Sequence, residues 1–217
     1  MTEFWLSLVD TLSSASAEVQ LMTAWEALAV VLALAYLLLA MKANVWCWGA
    51  AFASTAIYTV LFWQVALLME SVLNIYYMLM AVYGYWLWSQ GGEQHAGVEV
   101  SSWPLKTHLS LIAGTALLSL GVGHMMATYT QAAFPYLDAA TSCFAVMTTY
   151  LVAKKVLENW LYWVVIDLVS IYLYLNKGLM LTSLLFVFYV GLAVGGYFLW
   201  RGALRQRQSQ SLAVQGH

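Results

Sequence analysis

Five residues in the run from Glu158 to Tyr174, E-N-W-L-Y-W-V-V-I-D-L-V-S-I-Y-L-Y, have the types and spacing to hold a ligand. Trp160, Trp163, Asp167, Ser170 and Tyr174 recur at helical intervals and so share one face of a helix. Two indoles, a carboxylate, a hydroxyl and a phenol on one stripe can stack on a flat, positively charged heteroaromatic ring and hold its polar edge. An ionisable group near the bilayer centre costs about 2.5–3.5 kcal/mol on insertion scales, so Asp167 in an apolar run points to function. The competing account of Asp167 is a structural bond to a neighbouring helix. For Trp160 and Tyr174 it is a place in an interfacial aromatic belt.

A second set lies upstream. Glu70, Asn74 and Tyr77 follow i, i+4, i+7 spacing, with Ser71 beside them, and Asn74 is the deepest of the three. Glu26 and Asp138 could draw a cation, or could serve only as acidic caps at helix N-termini. Gln64 reads as a loop residue. Cys47 and Cys143 are expected to be free thiols inside apolar spans. His95, His108, His124 and His217 show no metal spacing, and no HExxH, phosphate loop or nucleophile elbow is present. The chain is therefore not expected to be an enzyme, nor to need a metal or cofactor, and no nucleic-acid partner is expected.

The elements that must position these residues follow from composition. Hydrophobic residues make up 63% of the chain, charged residues only 8%, and aromatic residues 15%; the mean hydropathy is +0.77. Soluble domains carry about 25% charged residues, so this is an integral membrane protein. Apolar stretches at 24–41, 45–62, 67–88, 106–127, 137–154, 158–175 and 179–200 are long enough to cross hydrocarbon as helices. Backbone groups cannot go unpaired in lipid, and the runs are too uniformly apolar for barrel strands, so the expected class is all-α.

The chain also repeats itself. A shift of 112 residues, without a gap, lays Glu26–Trp88 on Asp138–Trp200. Lys42 meets Lys154, Trp48 meets Trp160, Ser71 meets Ser183, Tyr77 meets Tyr189, Gly84 meets Gly196 and Trp88 meets Trp200. In the same register Thr55 meets Asp167 and Tyr58 meets Ser170, so one face is polar in both halves but charged in one. Spans 1–3 and 5–7 then form two like units, and span 4 restores the orientation, giving 3+1+3 parallel repeats. Lys42, Lys106, Lys154, Lys155, Arg201, Arg205 and Arg207 fall on one side, and only Lys177 on the other. That bias places the N-terminus outside and the C-terminus in the cytoplasm of the inner membrane. The expected organisation is an extracytoplasmic leader at 1–22, a first three-helix repeat at 23–88, and a polar cytoplasmic loop at 89–105. A connector helix and loop at 106–134, a second repeat at 135–200 and a cytoplasmic tail at 201–217, polar and disordered after Arg205, complete it.

Three motifs together resemble the PnuC-type vitamin-precursor transporters: E-N-W-x-x-W at Glu158–Trp163, E-x-x-L-N at Glu70–Asn74 and Y-G-x-x-x-W at Tyr83–Trp88. The resemblance covers residues 24 to 200. It implies a SWEET-like fold, a homotrimer of independent protomers in lipid, and facilitated diffusion made unidirectional by a cytoplasmic kinase. Members that carry nicotinamide riboside resemble this chain at the two tryptophans, but have Asn where Asp167 stands and G-L-I-N where it reads Ala51, Phe52, Ala53, Ser54. The departure favours the thiamine branch, PnuT, with nicotinamide riboside as the alternative and riboflavin behind it. The thiazolium cation of thiamine suits stacking on indoles, and its aminopyrimidine donors suit a carboxylate. The expected contacts are Trp48, Thr55, Tyr58, Glu70, Asn74, Tyr77, Trp160, Trp163, Asp167, Ser170 and Tyr174. A receptor that binds without translocating is the other class, and no basic group within the spans suggests ion coupling.

Overall fold

The computed structural model describes residues 24–64, 68–92 and 96–215. The expected leader, 1–22, lies outside them, as do His95 and His217. The described residues form seven helices and no strand: α1 (Ala24–Met41), α2 (Cys47–Gln64), α3 (Leu68–Gln90), α4 (Leu105–Tyr129), α5 (Pro135–Ala153), α6 (Asn159–Asn176) and α7 (Met180–Gln215). Each of the seven expected spans falls on one of them.

What covers these helices is inverted relative to a water-soluble bundle. Leu79, Leu117, Val165 and Phe198 are each more than 60% exposed. Ser54, Ser71, Asn74, Thr148, Asp167, Ser170 and Ser183 are buried. Hydrocarbon welcomes the outer side chains, while the polar ones find their partners inside. Ser54 Oγ donates to the Ala29 carbonyl at 2.8 Å, joining α2 to α1. Ser71 Oγ donates to the Thr59 carbonyl at 2.6 Å, joining α3 to α2.

Helix boundaries keep the sequence register. Moved by 112 residues, Cys47 and Gln64 at the ends of α2 fall on Asn159 and Asn176 at the ends of α6, and Leu68 at the start of α3 falls on Met180 at the start of α7. The turns agree as well: Ala43 at φ 51° and Lys155 at φ 50° end α1 and α5 in the left-handed region. Asn44 N–H bonds the Leu39 carbonyl and Val156 N–H bonds the Leu151 carbonyl, both at 3.0 Å, the six-to-one bond that closes such a turn.

The α1–α3 and α5–α7 groups meet through α3 against α5 and α1 against α7, and α4 packs on α5. Tyr76 Oη donates across the first of these seams to the Val146 carbonyl at 2.9 Å.

One expectation is corrected. The tail does not turn to coil after Arg205: α7 runs on to Gln215. Ala203, Leu204, Arg205, Gln206 and Arg207 are strong helix formers with no Pro to stop them, and Leu204 packs on the core. The loop after α3 is docked on the α5–α6 turn. Ser101 bridges Val156 in parallel register, with Ser101 N–H on the Lys155 carbonyl at 3.0 Å and Leu157 N–H on the Ser101 carbonyl at 2.7 Å. Gly97, at φ 86°, makes that docking possible, because a Cβ there would come within 2.3 Å of the Trp88 carbonyl oxygen.

Candidate functional site

Five helices, α1, α2, α3, α6 and α7, carry the polar residues. Asp167 projects from the middle of α6, is 4% exposed, and makes no hydrogen bond or ion pair among the described residues. One phenol stands near it: Tyr189 of α7 lies within the field of both Asp167 and Tyr58 of α2. A second group of phenols joins the helices elsewhere: Tyr77 of α3 lies within the field of Tyr174 of α6 and of Glu70, and Tyr36 of α1 within that of Tyr77. A carboxyl group offers one strong acceptor, and phenols offer edge and face contacts for a flat ring and hydroxyls for its polar rim.

The end of the bundle where α1, α3 and α5 begin is acidic. Glu26, Glu70 and Asp138 sit in the first turns of those helices. Lys177 Nζ holds Asp138 Oδ1 at 2.8 Å, and Glu70 lies within the field of both. Tyr174 is reached by Glu70 and Asp138 together, so the acidic mouth leads to the phenols.

The opposite end is sealed by tryptophan. Trp48 meets Trp88 edge to face at 5.4 Å and 84°, and Trp160 meets Trp200 at 5.4 Å and 87°. Trp88 and Trp200 close the row at 6.0 Å. Each inner indole reaches across the bundle: Trp88 Nε1 donates to the Ala153 carbonyl and Trp200 Nε1 to the Ala40 carbonyl, both at 3.0 Å. Gly84 lies against the Trp48 ring and Gly196 against the Trp160 ring, where a Cβ would come within 2.3 and 2.7 Å. Trp48 and Trp160 thus spend their faces on glycine and their edges on tryptophan.

Of the expected contacts, the structure brings Tyr58 towards Asp167 through Tyr189 and, separately, Tyr77 towards Glu70 and Tyr174; Ser170 is buried on α6 one turn from Asp167. Asn74 is buried and its Nδ2 donates to the Glu70 carbonyl at 2.9 Å. Thr55 Oγ1 donates to the carbonyl of Ala51 on its own helix at 2.8 Å. Trp163 is partly buried and packs on the tryptophan cluster that contains Trp48 and Trp160. Sequence reasoning left out Tyr189 and Tyr36. The first was within reach, since Tyr189 is the partner of Tyr77 under the 112-residue shift; Tyr36 aligns with Thr148 and carried no such mark.

The segment from Ser101 to Trp103 and α4 converge on Glu158, just before α6. Ser102 Oγ and Trp103 N–H donate to its carboxylate, and His108 Nε2 lies 3.5 Å away. His108 Nδ1 and Tyr162 Oη are 3.0 Å apart. This network fixes the start of the helix that carries Asp167. A groove of about 420 Å³ on the outer face of α7, lined by Leu184, Val187, Phe188, Gly191 and Leu192, has no polar side chain and belongs to the lipid-facing surface.

A family model described as "Nicotinamide mononucleotide transporter" matches residues 23–202. The nicotinamide riboside transporter PnuC of Escherichia coli (strain K12) is 23% identical over 185 residues, spanning 74% of this chain and 77% of that protein. The riboflavin/roseoflavin transporter RibM of Streptomyces davaonensis is 26% identical over 144 residues, spanning 64% and 66%. The crystal structure of the vitamin B3 transporter PnuC superposes with a TM-score of 0.67 at 19% identity, covering 92% of this chain and 90% of that one, which is a likeness of fold.

Proposed function

The chain belongs to the nicotinamide mononucleotide transporter family, and from that premise we propose that it is a membrane transporter that takes up thiamine by facilitated diffusion. The vitamin-precursor class follows from the family; the choice within it rests on the isolated carboxyl group of Asp167. A buried carboxylate without a basic neighbour is completed by a ligand that brings its own positive charge. Thiamine does so on its thiazolium ring, with the aminopyrimidine free to meet the phenol hydroxyls and Asn74. The second candidate is nicotinamide riboside, also a flat cation, which the relative from Escherichia coli is named for. Riboflavin, the substrate in the name of RibM, has no such charge and leaves Asp167 without a counterpart.

The arrangement of the halves belongs to the same proposal. Coincident helix ends and turns under one register support 3+1+3 parallel repeats, as in SWEET-type transporters. The Lys- and Arg-rich end, with the C-terminus, then faces the cytoplasm and the acidic mouth faces outward, in the inner membrane. The four-tryptophan row is the closed inner gate, and Tyr58, Tyr77, Tyr174, Tyr189, Ser170, Asn74 and Asp167 line the site above it. Trp48, Trp160 and Trp163 support that site from below, Glu70 stands at its entrance and Thr55 on its wall. Substrate enters past Glu70 and Asp138, and rocking of one three-helix unit against the other breaks the two tryptophan–carbonyl bonds. Protomers work independently within a trimer, and intracellular phosphorylation traps the product. A receptor that only binds makes no use of an inner gate.

Uptake into proteoliposomes tests this. Labelled thiamine should equilibrate across the vesicle wall with sodium and proton gradients abolished, and outcompete equimolar nicotinamide riboside. Binding of both compounds with equilibration of neither would refute transport; preference for the riboside would overturn the substrate.

A further inference from the structure

At the Lys-rich end lies a cavity of about 280 Å³, apart from the substrate site. Its walls include Val98, Glu99 and Val100 of the docked segment, Lys155 of the α5–α6 turn, and Leu204 and Arg207 of the α7 extension. Lys155 is the unusual member. Its ammonium lies 4.4 Å over the centre of the Trp88 ring, and among the described residues no carboxylate forms an ion pair with it. Burial pushes its pKa below the ordinary lysine value, the mark of a cation short of an anion. Its neighbour Lys154 is turned away onto the Tyr83 and Tyr150 rings. The backbone at Lys155 is held at φ 50° and clamped by Ser101, so the side chain leaves from a fixed point. Across the cavity Arg207 is held by Glu99, both half-exposed.

We propose that this cavity binds the phosphate group of a small organic phosphate or a phospholipid headgroup, with Lys155 as its anchor and Arg207, released from Glu99, as its second arm. The chemistry is that of a compact anion meeting an ammonium that has a ring but no carboxylate beside it, completed by a guanidinium fork that prefers phosphate geometry. Glu99 is then an internal competitor that occupies Arg207 while the site is empty. The walls come from three separate elements, one of them the turn whose Ala153 carbonyl accepts the Trp88 indole. A bound phosphate ties these elements together and holds the tryptophan row shut; that consequence alone rests on the transport proposal, whereas the site itself can be measured by binding.

The test is isothermal titration of glycerol 3-phosphate into the full chain in phosphatidylcholine nanodiscs, beside native mass spectrometry of the same protein in discs containing phosphatidylglycerol. Saturable binding of glycerol 3-phosphate assigns a free phosphate ester; Lys155-dependent retention of phosphatidylglycerol without it assigns a headgroup. In either case Lys155→Asn, whose side chain tolerates the left-handed backbone, should weaken binding about tenfold. Lys155→Arg should keep it, and Glu99→Gln should tighten it by about threefold, because Arg207 is freed. Should Lys155→Asn fail to fold, the gain from Glu99→Gln decides alone. Absence of binding by both probes, or binding indifferent to Lys155 and Glu99, overturns the site.

Discussion

Replacing Asp167 with Asn removes a charge and almost nothing else, since the amide has nearly the shape of the carboxyl group. Asp167 is 4% exposed, so a cation bound beside it is screened by protein rather than by bulk water. Unit charges about 5 Å apart in an effective dielectric of about 20 attract by about 3 kcal/mol. Part of that is offset by stripping water from the cation, which leaves at least about 1.4 kcal/mol, a tenfold loss of affinity. Quenching of the chain's 11 tryptophans in detergent solution reads the affinity. Thiamine should weaken, whereas nicotinamide riboside, given the Asn expected at this position in its carriers, should bind Asp167→Asn no worse than the unaltered protein, and riboflavin, which carries no positive charge, should bind both alike. A thermal melt run alongside should show the variant as stable as its parent, because the native carboxyl group has no partner to lose. If Asp167→Asn binds thiamine as tightly as before, or loses riboflavin equally, the carboxyl group is structural and the case for thiamine fails.

Other substitutions probe the scaffold and the gate. Gly84→Ala and Gly196→Ala drive a Cβ into the Trp48 and Trp160 rings and should each destabilise by about 1–3 kcal/mol. Gly191→Ala meets no atom within 4 Å and should be neutral or stabilising by up to about 1 kcal/mol in the same melt; equal effects at all three sites would contradict the packing described. Trp88→Phe and Trp200→Phe each remove one indole-to-carbonyl bond, worth about 1 kcal/mol net. The two should lower stability by similar amounts and make Cys47, buried beside the row, more reactive to a thiol reagent; protection unchanged in both would exclude the row as a gate. Lys177→Met leaves the end with Glu26, Glu70 and Asp138 more acidic, so cation uptake should rise at low ionic strength and the gain should vanish at high salt. A gain that ignores salt would rule out electrostatic steering.

Much of this molecule is legible in one dimension. Composition alone excludes a water-soluble domain, run length marks every helix core to within a few residues, and the motifs around Glu158, Glu70 and Tyr83 point to the family that the match over residues 23–202 then shows. Asp167 stands out because a carboxyl group in hydrocarbon is costly wherever the helix turns. The rest escaped for a physical reason. In water, an apolar stripe says which face of a helix points inward; in lipid both faces are apolar, and that contrast is lost. Trp48, Trp160 and Trp163 therefore look like ligand platforms in sequence, and only packing reveals that glycines and two further tryptophans occupy the first two. Tyr189 and Tyr36 join Asp167 and Tyr77 through helix rotation and crossing, which no spacing along one segment encodes. The α7 extension likewise becomes ordered structure through Leu204 on the core and Arg207 on Glu99. Solvent class, helix count and the presence of a carboxyl group within a span are local properties, and the sequence alone determines them. Which aromatic rings pack on one another and which stand near Asp167 depends on pairs of residues far apart in the chain, and only tertiary contact decides it.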